Sequence, residues 1–263
     1  MWHKSLIHST ILEIIMEPDV SIGVILGGRR KGKSVLGYGI IDELHNTNLQ
    51  TFVLGLPQTK THLIPPYIQS IGDLDDVPDK SAVIIDEAYR EFYARMSMSA
   101  KNKFVDTLVA LSGQKRLKCI FITQQARRVE VGIAGSPDFM LFKKPSLVQM
   151  EFDRPQYRRK LAEVYKAFQE LKTPKDLSLK EYQKQCTYIF SEDYVGMIEN
   201  SNTSPSWWTE DISRAYAGVS LKEKEEKADY TEKEIVKMFA NVIGGKRLTG
   251  FDKDGRYTPK SKR

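Results

Sequence analysis

Eight residues constrain this chain more than any others. Gly27-Gly28-Arg29-Arg30-Lys31-Gly32-Lys33-Ser34 reads G-x-x-x-x-G-K-[S/T] without a mismatch. The apolar run Val20–Leu26 leads into it, and helical spacing follows from Lys33 to about Leu44. A strand–loop–helix setting gives this pattern its meaning. The glycines let the backbone curl until successive N–H groups point inward as an anion nest. The helix that follows aims the positive end of its dipole at the same point. Lys33 is placed to reach the outer phosphates of a bound nucleotide, and the Ser34 hydroxyl suits Mg²⁺. All eight residues are therefore expected to bind a nucleotide, with Arg29, Arg30 and Lys31 making the loop unusually basic.

The elements around the loop alternate. Residues 5–16 carry helical spacing that Pro18 ends, and the strand into the loop follows. Thr51–Leu56, Ala82–Ile85, Lys118–Thr123 and Phe139–Phe142 read as further strands. Residues 57–80 read as irregular, and 87–97 and 101–112 as helical. Alternation of this kind predicts an α/β fold with a mainly parallel sheet between helices. After Pro155 the pattern changes. An amphipathic helix is expected over 156–171, another over 174–187, and an aromatic, irregular stretch over 188–220 that includes Trp207-Trp208. Thr231 and Glu234 fit a capping box. Residues 245–263 hold seven Lys or Arg against two Asp and read as a basic tail. The expected division is an N-terminal helix (1–17), a nucleotide-binding core (18–150), a helical and irregular extension (151–220), and a charged helix with basic tail (221–263).

A second chemical motif lies about fifty residues beyond the first. Ala82–Ile85 ends in Asp86-Glu87. A carboxylate at a strand end suits the Mg²⁺ shell, which assigns Asp86 beside Ser34. Glu87 is then placed to polarise an attacking water. The strand Lys118–Thr123 runs into Gln124, and in an open parallel sheet ligands sit beyond such strand ends. Gln124 or Thr123 is therefore a candidate for sensing the γ-phosphate or holding the attacking water.

Together these features resemble the HerA/FtsK superfamily of DNA-pumping P-loop ATPases. The resemblance rests on the phosphate loop, Asp86-Glu87, an intervening strand, and the Ile122-Thr123-Gln124 ending, and it covers roughly residues 18–145. In size the chain is similar to viral genome-packaging ATPases and to zonular-occludens-toxin-like ATPases of filamentous phage. The resemblance implies a RecA-like core, ATP and Mg²⁺ as cofactors, and a homo-oligomeric ring, usually a hexamer, with ATP between subunits. It also implies an arginine supplied by the neighbouring subunit. Arg116 is the first candidate; Arg127, Arg128, Arg90 and Arg95 follow. Leu111–Arg116 looks like the ABC-transporter signature, but it follows the Asp-Glu strand and lacks the second glycine, so it is a coincidence.

Composition sets the outer bounds. The 263 residues carry 40 Lys and Arg against 34 Asp and Glu, a formal net charge of +6. That balance permits an acidic polymer as partner. Candidate phosphate contacts are Lys101, Lys103, Lys115–Lys118, Arg154–Lys160 and the tail. Two cysteines exclude a disulfide framework, Cys119 reads as a buried thiol, and the four histidines form no metal pattern. No apolar run reaches membrane length and no signal peptide is read, so a reducing cytoplasm is the expected setting; the resemblance to viral ATPases implies the host cytoplasm, with virion association. Three functions are compatible with the residues: a DNA translocase with non-sequence-specific DNA as partner, a virion-extrusion ATPase with a capsid or coat partner, and a nucleotide-controlled binding module.

Overall fold

Short, mainly apolar runs build the sheet. Ile22–Leu26 (β1), Ser81–Ile85 (β4) and Phe139–Phe142 (β6) are buried along their whole length, as strands covered on both faces must be. In the computed structural model, residues 7–86, 110–124, 137–153, 155–200, 204–213 and 215 are described. By contacts the chain divides into Met1–Ala217 and Gly218–Arg263, and every described residue belongs to the first unit.

Gln50–Leu54 (β2), Ile68–Ile71 (β3), Lys118–Thr123 (β5), Cys186–Ser191 (β7) and Val195–Glu199 (β8) complete an eight-stranded sheet in the order β3-β2-β4-β5-β1-β6-β7-β8. The first six strands pair in parallel; β6–β7 and β7–β8 are antiparallel. The strand that carries the phosphate loop is flanked by β5 and β6, and β5 separates it from the Asp86 strand. This is the strand arrangement of a RecA-like P-loop NTPase core, and the expected fold class holds.

Alternate strand residues feed two cores. Val24, Val83, Phe121 and Phe142 face one side, where Leu161, Val164 and Phe168 of the helix Pro155–Gln169 cover them. Ile25, Ile84, Ile120 and Leu141 face the other, where the helices Ser9–Met16 (α1) and Lys33–Asn46 (α2) pack. The short helix Leu147–Phe152 (α3) precedes Pro155–Gln169 (α4), and Leu179–Gln185 (α5) opens with a Ser178/Glu181 capping box. Cys119 is buried, as expected, and its surroundings push the thiol up to about 12.

Two stretches read as irregular are ordered into the sheet. Residues 57–80 contain a 3₁₀ turn at Gln58–Leu63 and the edge strand β3. Residues 186–199 form the hairpin β7–β8, so the helix expected over 174–187 ends at Gln185 and the stretch expected to be irregular from 188 opens in a strand. Its strand Cys186-Thr-Tyr-Ile-Phe-Ser191 alternates only weakly, because four successive residues from Cys186 are buried. The helices expected at 87–97 and 101–109 lie outside the described residues; 110–114 are helical.

Phe168 is fully buried against the underside of the sheet. Phe168→Ala should cost about 3–5 kcal/mol, read as a lower denaturant midpoint with an unchanged slope.

Candidate functional site

The phosphate loop is shaped by its backbone and by what lies beneath it. Gly32 caps α2 with φ +83°, a left-handed conformation that side chains rarely adopt. Lys33 is 7% exposed, and its Nζ donates to the Gly28 carbonyl at 2.9 Å, inside the loop. At Gly27 an added Cβ would stand 2.7 Å from the carbonyl oxygen of Lys143. Only a residue without a side chain lets the loop lie this close to the end of β6. Two backbone hydrogen bonds fasten the same contact: Lys143 N–H to Leu26 O at 2.7 Å, and Gly28 N–H to Lys144 O at 3.1 Å.

Lys143 itself is 2% exposed. Its Nζ donates to the carbonyls of Lys184 at 2.8 Å and Cys186 at 3.0 Å. Burial lowers its pKa to about 7, with the nearby Cys186 thiol acting weakly in the other direction. Two backbone carbonyls receive its N–H groups. The lysine therefore joins the floor of the phosphate loop to the α5–β7 junction. Around it stands a cationic rim. The pKa of Lys31 is lowered by burial first and then by the charges of Lys144, Lys184 and Lys180. Lys144 Nζ donates to Gln183 Oε1 at 2.9 Å.

The sequence-assigned residues fall as follows. Gln124 stands at the end of β5, and its Oε1 accepts from Arg29 Nε at 3.0 Å, so the strand end and the phosphate loop are in contact. Thr123, opposite Leu26 in register, is buried. Asp86 follows β4, half-buried and engaged with neighbours; with Ile85 opposite Phe121, and Phe121 opposite Val24, it reaches the same edge of the sheet as the loop. Two strand spacings, about 10 Å, separate it from β1. Ser34 lies in the first turn of α2. A hydroxyl and a carboxylate leave most of an oxygen shell to phosphate and water, which is how Mg²⁺ is usually held. Among the described residues no group of three or more His, Cys, Asp or Glu forms a metal cage. Glu87 lies outside the described residues, as do Arg90, Arg95, Arg127, Arg128, Lys101, Lys103, Arg154 and the tail.

Arg116 is on a turn with φ +53° just before β5. The six residues of β5 put it roughly 20 Å from the loop-side edge of the sheet. It cannot reach its own phosphate loop. Lys115 and Lys118, read as possible polymer contacts, are used for folding. Lys115 Nζ donates to the carbonyls of Asp75 and Val77, and Lys118 Nζ to those of Glu17 and Val20. Trp207 and Trp208 pack on Tyr38, and Trp207 Nε1 donates to Asp42 at 2.8 Å. Sequence reasoning missed Lys143, Lys144, Lys184 and Gln183. The only signal was Lys143-Lys144 at the end of an apolar strand.

No protein-family model matches the chain, and no curated protein matches it in sequence. Among solved structures it is similar to the genome packaging NTPase B204 from Sulfolobus turreted icosahedral virus 2 in complex with ATP-gammaS. Identity is 16% over 71% of this chain and 98% of that one, with a TM-score of 0.47. It is also similar to the pCW3 conjugation coupling protein TcpA, at 10% identity over 70% of this chain and 61% of that one, TM-score 0.43. A third is the cytoplasmic domain of the Thermomonospora curvata type VII secretion ATPase EccC, at 12% identity over 68% and 25%, TM-score 0.44. The chemistry of the site rests on its own residues, and the fold on its own strand order.

Lys143 makes a pH prediction. Its folded pKa of about 7 lies below the ordinary 10.5, so between these values the unfolded chain binds the extra proton. Its contribution is present above about 10.5 and is lost as pH falls toward 7. The unfolding free energy of the wild type relative to Lys143→Met should therefore rise with pH across that window, measured by urea titration. A flat difference would show an ordinary lysine.

Proposed function

We propose that this chain is an ATP-hydrolysing DNA translocase, and within that class a viral genome-packaging motor. One observation carries the ATPase reading. The phosphate loop, the Gln124 strand end and Asp86 lie along one edge of a parallel sheet, with Gln124 hydrogen-bonded to Arg29 of the loop. The DNA-pump part rests on the motif resemblance and the positive net charge.

In this reading the loop amides, Lys33 and the basic rim bind the triphosphate. Ser34 and Asp86 hold Mg²⁺, which would neutralise charge on the phosphates. Glu87 orients and polarises the attacking water. Gln124 reports the γ-phosphate to Arg29. Because Arg116 stands at the far edge of the sheet, it would serve a neighbouring copy, which agrees with a ring, proposed as a hexamer. Contacts with DNA are to phosphates and are not sequence-specific. They fall to residues other than Lys115 and Lys118, whose ammonium groups bind backbone carbonyls. The proposed setting is the host cytoplasm, with a capsid or other virion protein as docking partner. Among the described residues no helix is long and apolar enough to cross a membrane.

Steady-state hydrolysis at low salt, with and without linear double- and single-stranded DNA, tests this. Turnover should need Mg²⁺ and rise with DNA. Lys33→Ala should lower it by about 10²–10³-fold or more, the scale of losing a transition-state charge contact. Glu87→Gln should bind ATP without turning it over. Turnover indifferent to DNA would move the assignment to an assembly or extrusion ATPase. Tight ATP binding with negligible turnover would make the chain a nucleotide-controlled binding module.

A further inference from the structure

Helix α3 keeps its large apolar side chains in solvent. Leu147 is 63% exposed, Val148 68% and Phe152 63%. With Met150, and with Arg158 and Ala162 of α4, they line an open groove of about 540 Å³ that no step above uses. A single exposed apolar residue needs no explanation. Three on one short helix form a patch, and contiguous patches of about 300–600 Å² are often functional. The helix is also tied to the phosphate loop. Gly28 N–H donates to the Lys144 carbonyl at 3.1 Å, and two residues further on Ser146 caps α3, its hydroxyl accepting from Gln149 N–H at 3.0 Å. A partner seated on the patch therefore stands beside the loop.

Charge indicates the partner. Strands β1–β6 run in parallel, so all of them end at the loop edge of the sheet and begin at the opposite edge. The two edges differ in sign. The loop edge carries Arg29, Arg30, Lys31, Lys144, Lys180 and Lys184, against Asp86 and Glu181 among the described residues. The opposite edge carries Glu17, Asp19, Asp75, Asp76, Asp79 and Asp138, all exposed. Glu17 and Asp19 lead into β1, Asp79 into β4 and Asp138 into β6. Lys115 Nζ holds the carbonyls of Asp75 and Val77 beside the start of β5. Of the cations on this edge, Lys115 and Lys118 are turned onto backbone carbonyls, while Lys80 and Arg116 are exposed. One chain thus has a basic end beside an apolar patch, and an acidic end with an exposed arginine. Three side chains alone expose too little surface for the roughly 800 Å² per partner of a stable interface. Opposite charges around them would supply the rest, as a polar rim about an apolar centre.

We propose that α3 is half of an interface between copies of this chain: the acidic, Arg116-bearing edge of one copy seats on the α3 groove and basic loop edge of the next. The inference rests on the ring reading above and adds the two surfaces that meet. They are different patches of the same chain, so the contact is head-to-tail, and each added copy leaves one groove and one acidic end open until a ring closes. The seating carries Arg116, which cannot reach its own loop, toward the loop of its neighbour.

Sedimentation velocity of the full chain, with and without a non-hydrolysable ATP analogue, tests this. The wild type should associate beyond a dimer as concentration rises, and less at high salt. Phe152→Asp should weaken association by about 30-fold or more, the scale of losing one interface hot spot. Asp75→Lys/Asp76→Lys, at the other end, should also weaken it. Mixed in equal amounts, the two variants should form a dimer and stop there, because the first keeps its acidic end and the second its groove. All three side chains are exposed, so urea midpoints should match the wild type. A wild type that stays monomeric with and without the analogue overturns the interface and leaves the groove to a different partner. Wild-type assembly by Phe152→Asp overturns it too. So does assembly by the acidic-end variant alone, which would mean α3 meeting α3 in a two-fold dimer, and so does a mixture that forms no dimer. ATP hydrolysis by a monomeric wild type would remove the interface and leave the ATPase reading standing. Assembly of a wild type that binds no analogue would keep the interface and remove that reading.

Discussion

The contact between the phosphate loop and the end of β6 governs this molecule. Gly27 lies against Lys143 with no room for a side chain, and the Leu26–Lys143 and Gly28–Lys144 hydrogen bonds close the seam. A loop that must present its own N–H groups to an anion cannot also satisfy them internally. It needs support from outside, and β6 supplies it. The support continues through the Lys143 side chain to the carbonyls of Lys184 and Cys186. The loop, the sheet edge and the α5–β7 junction therefore form one connected unit. That explains how a hairpin remote in sequence from the loop comes to bear on the loop's shape.

The antiparallel hairpin has a further structural use. A parallel sheet ending at β6 would leave an unpaired strand beside the phosphate loop. Pairing β7 to β6 satisfies that edge, and β8 then becomes the outer strand. Val195 of β8 and Phe190 of β7 stay exposed there, while Ile189 and Ile198 face the core side. The same hairpin brings α5 over the N-terminal end of α2, where it walls a cavity beside Gly32. Trp207 and Trp208 complete that wall by packing on Tyr38.

Most of the candidate site was legible in the sequence because it is local. The loop needs its glycines, lysine and serine at fixed spacing. β4 and β5 are short apolar runs with polar ends. The boundaries of β5 and β6 agree residue for residue with the reading, since burial on both faces makes a strand a continuous apolar run. The contact between Gln124 and Arg29 follows from the strand order. What was not legible depends on partners far away in the chain. β3 has only one buried residue in four, so its sequence carries almost no strand signal. In β7 burial runs unbroken through Thr187, because a neighbouring strand and helix cover both faces. Lys143 could not be seen as a structural amine, because its acceptors are backbone carbonyls more than forty residues on. Lys115 and Lys118 looked like free surface charge for the same reason.

The site is electrostatically costly to fold. Lys31 and Lys143 both have depressed pKa values, with desolvation as the first cause, and the rim adds like-charge repulsion among Lys31, Lys144, Lys180 and Lys184. Nothing in the sheet's packing requires that many cations in one place. A polyanion at the loop would offset the repulsion, so ligand binding and fold stability are linked through the same charges. Lys143 stands apart from the rim in one respect. Burial lowers its pKa to about 7, so it carries less charge than an ordinary lysine while its two carbonyl partners hold the floor of the loop. The division is therefore one of placement: the rim lysines set the charge around the loop, and the buried one supports its floor.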